Sequence, residues 1–255
     1  MNLRRRLAVT AALTAGALAL AACGSAAKHT EQQRSAMSPK EALAAAIADL
    51  STTSYAVELT SPGDDSREVG VVDPRTHTGS LNATASSGTL DAVMMSPDVW
   101  VRLDLGAANA QLGIKSESWM KIDTTKVAHP KALPFDLSDF SDALDLGGLL
   151  VGVTAERTDA NSFTGTIDLT RATGVSAPDA DVVAKAGDKA RSVPFHATVD
   201  DQGRLTRIKI DGGSINPDLA MEISFSDYGA APGVTRPNDN EIVPTPDAVY
   251  QLLAQ

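Results

Sequence analysis

Residues 193–210, which read VPFHATVDDQGRLTRIKI, carry the pattern that decides the fold. Apolar side chains occupy every second position over residues 195–199, and Ile208 and Ile210 alternate with basic residues in the second half. Successive side chains of a strand point to opposite faces, so each half forms a strand with one apolar face. The intervening Asp200-Asp201-Gln202-Gly203 has the composition of a tight turn. The segment therefore predicts an antiparallel hairpin.

The same period of two extends outward from this hairpin. It recurs in two other segments, at Tyr55, Val57 and Leu59 and at Met221, Ile223 and Phe225. Asp211-Gly212-Gly213 is expected to close the turn between the hairpin and the second of these segments. The pattern predicts a large antiparallel sheet with one apolar face.

Two further strands are indicated by an internal repeat. Trp100-Val101-Arg102-Leu103-Asp104 and Trp119-Met120-Lys121-Ile122-Asp123 share the order tryptophan, apolar, basic, apolar, acidic. In each, the apolar pair faces one way and the tryptophan shares the other face with charged side chains. We expect the rings to be covered by the alkyl stems of neighbouring lysine or arginine side chains. A binding role for the tryptophans is the alternative.

Helices are predicted at four places. Ser38, Pro39 and Glu41 form a capping box with proline at the first helical position, and the helix runs to about Leu50. Residues 133–150 form one amphipathic helix or two short ones stopped at Gly147-Gly148. The other two helices are expected over residues 179–189 and 246–253. The fold class is α+β, a curved antiparallel sheet with helices against its apolar face.

The first 22 residues have the layout of a secretory signal peptide. Three arginines precede an apolar run over residues 7–20, which at about 14 residues is shorter than the ~20 needed to span a bilayer. Leu20-Ala21-Ala22-Cys23 resembles the lipobox of bacterial lipoproteins, in which the cysteine receives diacylglycerol on sulfur and an acyl chain on nitrogen. Cys23 is the only cysteine, so it cannot close an internal disulfide. The alternative is a chance cysteine beside an ordinary cleavage site.

These signals predict three segments. Residues 1–22 are cleaved, residues 23–37 are a lipidated cysteine with a flexible tether, and residues 38–255 are a single domain. Cleavage removes three of the 22 basic side chains and none of the 32 acidic ones, so the net charge becomes −13. Such a surface is a poor match to nucleic acid or anionic headgroups. Any contact with lipid beyond the anchor should therefore be made by apolar side chains.

No constellation of residues predicts enzyme chemistry. His29, His77, His129 and His196 are scattered without metal-ligand spacing, and no nucleophile elbow or phosphate loop occurs. The paired acids at Asp64-Asp65, at Asp200-Asp201 and at Asp239 with Glu241 lie in turn-like contexts. We therefore expect a protein that is not an enzyme and has no cofactor or metal.

The order of these features resembles the LppX/LprG family of actinobacterial lipoproteins. The resemblance rests on the lipobox, the capped helix, the segment Trp119-Met120-Lys121-Ile122-Asp123, the 193–205 hairpin and the closing Phe225-Ser226-Asp227-Tyr228-Gly229. It implies a half-open β-barrel similar to the LolA and LolB carriers, with helices over the concave side. It also implies an apolar cavity for the acyl chains of a lipid or lipoglycan, and an anchor on the extracytoplasmic face of the plasma membrane.

The alternating apolar positions give the candidate lining of such a cavity. These are Val57, Leu59, Val93, Met95, Val101, Leu103, Met120, Ile122, Ile208, Ile210, Ile223 and Phe225. The same residues would equally form an ordinary solid core. Two functions follow: a lipid-binding protein that carries or presents its ligand at the cell envelope, or an anchored interaction module, a sensor or accessory protein without a cavity.

Overall fold

The computed structural model describes residues 31–63, 65–127, 143–174 and 176–252. In these ranges, twelve strands form one sheet, and their bounds are β1 Tyr55–Ser61, β2 Ser66–Asp73, β3 Thr78–Ala85, β4 Gly88–Met95, β5 Asp98–Asp104, β6 Trp119–Ile122, β7 Thr154–Asp159, β8 Ser162–Ile167, β9 Val193–Val199, β10 Leu205–Asp211, β11 Ala220–Ser226 and β12 Ile242–Val243. The predicted α+β class with a large curved sheet is confirmed.

The sheet is built from two meanders that meet at its centre. Strands β1 to β6 pair in chain order, as do β7 to β11, and the antiparallel pairing of β1 with β11 joins the two halves. The chain then returns to the far edge, where β12 pairs in parallel with β6. The edges, β7 and β12, are not paired with each other, so the sheet does not close.

The hairpin at residues 193–210 forms as predicted. Strands β9 and β10 pair antiparallel, with a register shift between Leu205 and Arg207. The Asp200 carboxylate accepts hydrogen bonds from the backbone N–H groups of Gln202 and Arg204, and Gly203 adopts a φ of 79° that favours glycine. The next connection is longer than the predicted turn, because residues 212–219 include a 3₁₀ turn at Pro217–Leu219.

Side chains on the two faces of the sheet differ in chemistry. We call the face that carries Val57, Ile208 and Phe225 the inner face, and its side chains form the hydrophobic core. The opposite, outer face carries ion pairs such as Glu58 with Arg67 and Arg207 with Glu222. The alternation predicted for β1, β9, β10 and β11 therefore separates core from solvent-facing charge.

The tryptophan repeat forms two neighbouring strands, as predicted. Trp100 of β5 lies opposite Lys121 of β6 on the outer face. The Arg102 guanidinium lies 4.8 Å from the centre of the Trp119 ring, and Lys121 Nζ lies 5.9 Å from that of Trp100. The rings are covered by basic side chains, which is the structural role expected for them.

Within the described residues, six α-helices lie between and beside the strands. They are α1 Glu31–Ala36, α2 Pro39–Ala48, α3 Ala108–Leu112, α4 Leu146–Leu149, α5 Ala180–Ala186 and α6 Asp247–Leu252. The capping box of α2 is present, with Ser38 and Glu41 bonded to each other's backbone N–H groups. The buried residues Leu43 of α2, Leu149 of α4 and Val249 of α6 belong to the same core as the inner face.

Two local predictions are corrected by the helices. Gly147-Gly148 lies inside α4, which begins at Leu146, and the Asp145 side chain before it accepts a hydrogen bond from the backbone N–H of Gly148. Residues 31–36, predicted as flexible tether, form α1, which is held by a hydrogen bond from Arg34 to the carbonyl of Asp201. The rest of the predicted 133–150 helix, up to residue 142, and the tether before residue 31 lie outside the described residues.

Candidate functional site

A groove opens at the end of the sheet where β10 is followed by the 212–219 connection. Its volume is about 490 Å³, within the range of about 300–1,000 Å³ typical of small-molecule sites. We call it the mouth groove. Its lining residues are Leu59, Ser61, Ser66, Glu68, Ser176, Ala177, Pro178, Asp179, Val182, Ile210, Asp218, Leu219 and Met221.

The apolar part of the mouth groove comes from the inner face. Leu59 of β1 lies opposite Ile223 of β11, and Ile210 of β10 lies opposite Met221 of β11. The pairing of β1 with β11 therefore brings distant parts of the chain onto one wall. Leu59 and Met221 are half-buried, whereas Ile210 is only 1% exposed. The groove thus leads from solvent into the core.

The opposite wall is formed by the chain around α5 and by the 212–219 connection. Val182 projects from α5, and Leu219 is 1% exposed at the end of its 3₁₀ turn. Close packing fixes this connection, since a Cβ at Gly212 would clash with the Cβ of Leu219. The Asn216 side chain accepts a hydrogen bond from the backbone N–H of Asp218 and so starts the turn that points Leu219 inward.

Polar groups surround the apolar part of the mouth groove. Glu68 lies on β2 opposite Leu59, Asp179 precedes α5, and Asp218 lies in the 3₁₀ turn. Ser61, Ser66 and Ser176 add hydroxyl groups, of which that of Ser176 donates to the carbonyl of Leu144. Among the described residues that line it, three are acidic and none is basic. The groove therefore combines apolar walls with a negatively charged rim.

Ten of the twelve predicted lining residues lie on the inner face, but only two of them line the mouth groove. Leu59 and Ile210 do so. The other eight are buried in the core on the same face: Val57, Val101, Leu103, Met120, Ile122, Ile208, Ile223 and Phe225. The alternation thus identified the face correctly, while most of its length is filled by packed side chains.

Val93 and Met95 are corrected, because they lie on the outer face. The register places Val93 opposite Trp100 and Met95 opposite Asp98, whereas Ala92 and Met94 lie on the inner face. The sequence of β4 is apolar at every position over residues 92–95. Its pattern therefore does not show which of the alternating side chains point to the inner face. Val93 is nevertheless buried beside Trp100 on the outer face.

Eleven of the thirteen groove residues were not predicted, among them the apolar Met221, Val182 and Leu219. Met221 alternates with Ile223 in the sequence, so the signal for it was present. Val182 and Leu219 lie in a short helix and a 3₁₀ turn. Neither segment is long enough to show a hydrophobic period.

A second groove of about 490 Å³ lies at the other end of the strands, beside the β9–β10 turn. It is lined by Arg34 and Arg157 together with Asp200 and Asp201. The Arg157 guanidinium donates to the carbonyl of Arg34, and Arg34 donates to that of Asp201. These contacts hold α1 against the sheet.

Other predicted features are placed as follows. Cys23 lies outside the described residues. In the described ranges, no helix is long and apolar enough to cross a membrane. The same ranges contain no group of three or more side chains suited to hold a metal ion.

Comparison with known proteins gives a distant structural likeness. No protein-family model and no curated protein matches the chain. Among solved structures, it is similar to an uncharacterized conserved protein from Thermus thermophilus, with 10% sequence identity and a TM-score of 0.39. The match covers 80% of this chain and 98% of that protein.

Proposed function

We propose that this protein binds the acyl chain of a lipid or lipoglycan through the mouth groove and carries or presents it at the cell envelope. The observation that supports the proposal is the junction of this groove with the inner face, where Leu59 and Met221 are half-buried and Ile210 is buried. A flexible acyl chain suits such a site, since the walls are apolar and Met221 adapts readily to different shapes.

The proposal includes helices over the inner face, as in a half-open barrel. Leu43 and Ala46 of α2 and Leu146 of α4 are each at most 2% exposed and belong to the sheet's core. A lipid chain that enters beyond Ile210 would have to displace or slip between such side chains. The part of the sheet nearest α5 is therefore the proposed entrance.

A lipid anchor at Cys23 completes the proposed placement on the extracytoplasmic face of the plasma membrane. Two or three acyl chains hold a protein firmly, whereas one chain alone gives only marginal binding. The α1 helix lies at the opposite end of the strands from the mouth groove. An anchored protein would thus present the groove away from the point where the chain leaves the domain.

The binding experiment uses residues 24–255, exported behind an ordinary secretory signal so that no acyl group is attached. The purified protein is measured by native mass spectrometry, and its organic extract is analysed for lipid. We expect about one lipid for each chain. Absence of lipid from the extract, together with no uptake of a fluorescent fatty acid, would contradict the proposal.

The second candidate is an anchored interaction module that binds an envelope protein and holds no lipid. The burial of eight predicted lining residues favours it, because Met120, Ile208 and Ile223 at 1% exposure leave no free space at their positions. The same extraction separates the two candidates, since only the first retains lipid.

A further inference from the structure

We infer that the mouth groove holds one acyl chain at a time, so that its ligand is an amphiphile with a single chain rather than a diacyl lipid. The inference rests on the proposed function and specifies the ligand class of the same site. Four features of the groove support it, namely its volume, its closed floor, its packed walls and its polar rim.

The volume of the mouth groove matches that of one chain. A methylene group occupies about as much space as a water molecule does in the liquid, ~30 Å³. The groove of about 490 Å³ therefore has room for about 16 methylene groups. A single acyl chain of ordinary length fits this space, whereas two such chains need about twice the volume.

The floor of the groove is closed by packed side chains. Ile210 and Leu219, which line it, are each 1% exposed, and so is Ile223 of β11, which lies on the inner face diagonally across from Ile210. Ser176 is the buried polar side chain of the lining, and its hydroxyl already donates to the carbonyl of Leu144. The floor therefore offers apolar contact but no passage deeper into the core for a second chain.

The 3₁₀ turn Pro217–Leu219 is packed between two neighbours, which limits how far the groove can widen. On one side, Gly63 approaches the turn so closely that a Cβ would clash with the backbone of Pro217 and Asp218. On the other side, the turn packs against α5. Because backbone meets backbone at Gly63, no flexible side chain can move aside there, and room for a second chain would require these elements to separate.

The rim of the groove would leave a second chain in a polar environment. Ser61, Ser66 and Glu68 are half-buried there, and Asp179 and Asp218 are exposed. Each methylene that stays in water instead of an apolar site lowers the affinity about fourfold. A diacyl lipid would remove two chains from a bilayer or micelle and bury only one of them, whereas a single-chain amphiphile buries the chain that it removes.

The test uses the full chain, with any acyl groups it carries, in micelles of a bile-salt-type detergent that has no acyl chain. Two probes share a phosphocholine headgroup and the same photoreactive acyl chain, and one of them carries a second, ordinary chain. After equilibration and illumination, the labelled peptides are mapped by mass spectrometry. Labelling by each probe is divided by its labelling of a transmembrane reference peptide in the same micelles, which corrects for partition.

We expect the single-chain probe to label the β1, β10 and β11 segments at least about tenfold more than the diacyl probe, since about two methylenes left in water already give such a ratio. Leu59→Trp fills part of the groove and should remove most of the labelling by the single-chain probe. The matched control is Val69→Trp, at a half-buried aliphatic residue on the outer face of the adjacent strand, and it should keep the labelling within about twofold of wild type.

The outcomes separate this inference from the proposed function. Equal labelling of the groove segments by the two probes would overturn the restriction to one chain and leave acyl binding standing. If neither probe labelled these segments, both the inference and the proposed function would be overturned. An equal loss of labelling in Leu59→Trp and Val69→Trp would show that the probe does not lie in the mouth groove, and would likewise overturn the inference.

Discussion

At the scale of single residues, Ser38 shows how one side chain decides where an element begins. Its hydroxyl accepts a hydrogen bond from the backbone N–H of Glu41, and the Glu41 carboxylate accepts bonds from the backbone and hydroxyl of Ser38. These hydrogen bonds lower the pKa of Glu41. The helix they start, α2, supplies Leu43 and Ala46 to the core. The cap therefore links a surface pair to the packing of the inner face.

Replacing Ser38→Ala is expected to lower the free energy of unfolding by about 1 kcal/mol, the usual cost of losing an N-cap hydroxyl. Urea unfolding at neutral pH measures it. The exposed Ser192→Ala is the matched control and should change stability by about 0.5 kcal/mol or less. An equal loss in both variants would contradict the role of the cap.

The same pair gives a prediction for pH. Because the pKa of Glu41 is lower in the folded protein, its stabilising effect is present above the ordinary glutamate range and is lost as pH falls through the depressed value. The stability difference between wild type and Ser38→Ala should therefore shrink in acid. Unfolding curves recorded over a series of acidic buffers test this, and a difference that grows in acid would contradict it.

At the scale of elements, strand register decides which residues can meet a ligand. Strand β4 places Met94 on the inner face at 0% exposure and its neighbour Met95 on the outer face, half-buried opposite Asp98. A shift of one residue would exchange the two faces. The register of β4 therefore determines that neither Val93 nor Met95 can line the inner face.

Paired substitutions in β4 test this register. Met94→Lys buries an unpaired charge and is expected to destabilise the protein by about 3 kcal/mol or more. Met95→Lys places its ammonium near Asp98 at the surface and should cost about 1 kcal/mol or less. Thermal and urea unfolding of both variants provide the measurement. Greater damage from Met95→Lys would show that the faces are assigned the wrong way round.

Some of these strands and helices could be predicted from the sequence, and others could not. Strands β1, β9, β10 and β11 could be predicted because each has one polar face. Helix α2 could be predicted because Ser38, Pro39 and Glu41 form a recognisable N-terminal cap. Strand β4 could not be oriented, since Val93 is buried on the outer face against Trp100. The mouth groove was predicted only in part, because its walls depend on the pairing of β1 with β11 and on the 212–219 connection, neither of which leaves a local pattern.

At the scale of the whole molecule, two properties define the proposal. Within the described residues, the inner face of the sheet is open to solvent at the mouth groove, where Leu59 and Met221 are half-buried. The chain before α1 carries Cys23, the cysteine of the predicted lipobox. In the proposed function, the first property would give a site for an acyl chain, and the second would hold that site at a membrane surface.

The anchor is tested by Cys23→Ala in the full chain, expressed in a bacterium that processes lipoproteins. Wild type should partition into the membrane fraction and show the mass of the added acyl groups, because several chains give firm anchoring. The variant should lose both properties, whereas Ser25→Ala should retain them. Membrane association of Cys23→Ala equal to that of wild type would contradict acylation as the means of attachment.

The most direct test of acyl binding compares Leu59→Glu with Val69→Glu in residues 24–255. Leu59 and Val69 are half-buried aliphatic residues on adjacent strands, on the inner and outer face respectively, and each substitution adds one carboxylate. The measurement is lipid extracted per mole of purified protein. Wild type and Val69→Glu should carry about one lipid, and Leu59→Glu should carry little or none, because a carboxylate in the apolar wall opposes burial of the chain. The same amount of extracted lipid from Leu59→Glu and Val69→Glu would contradict binding through the mouth groove. So would the absence of lipid from the wild-type extract.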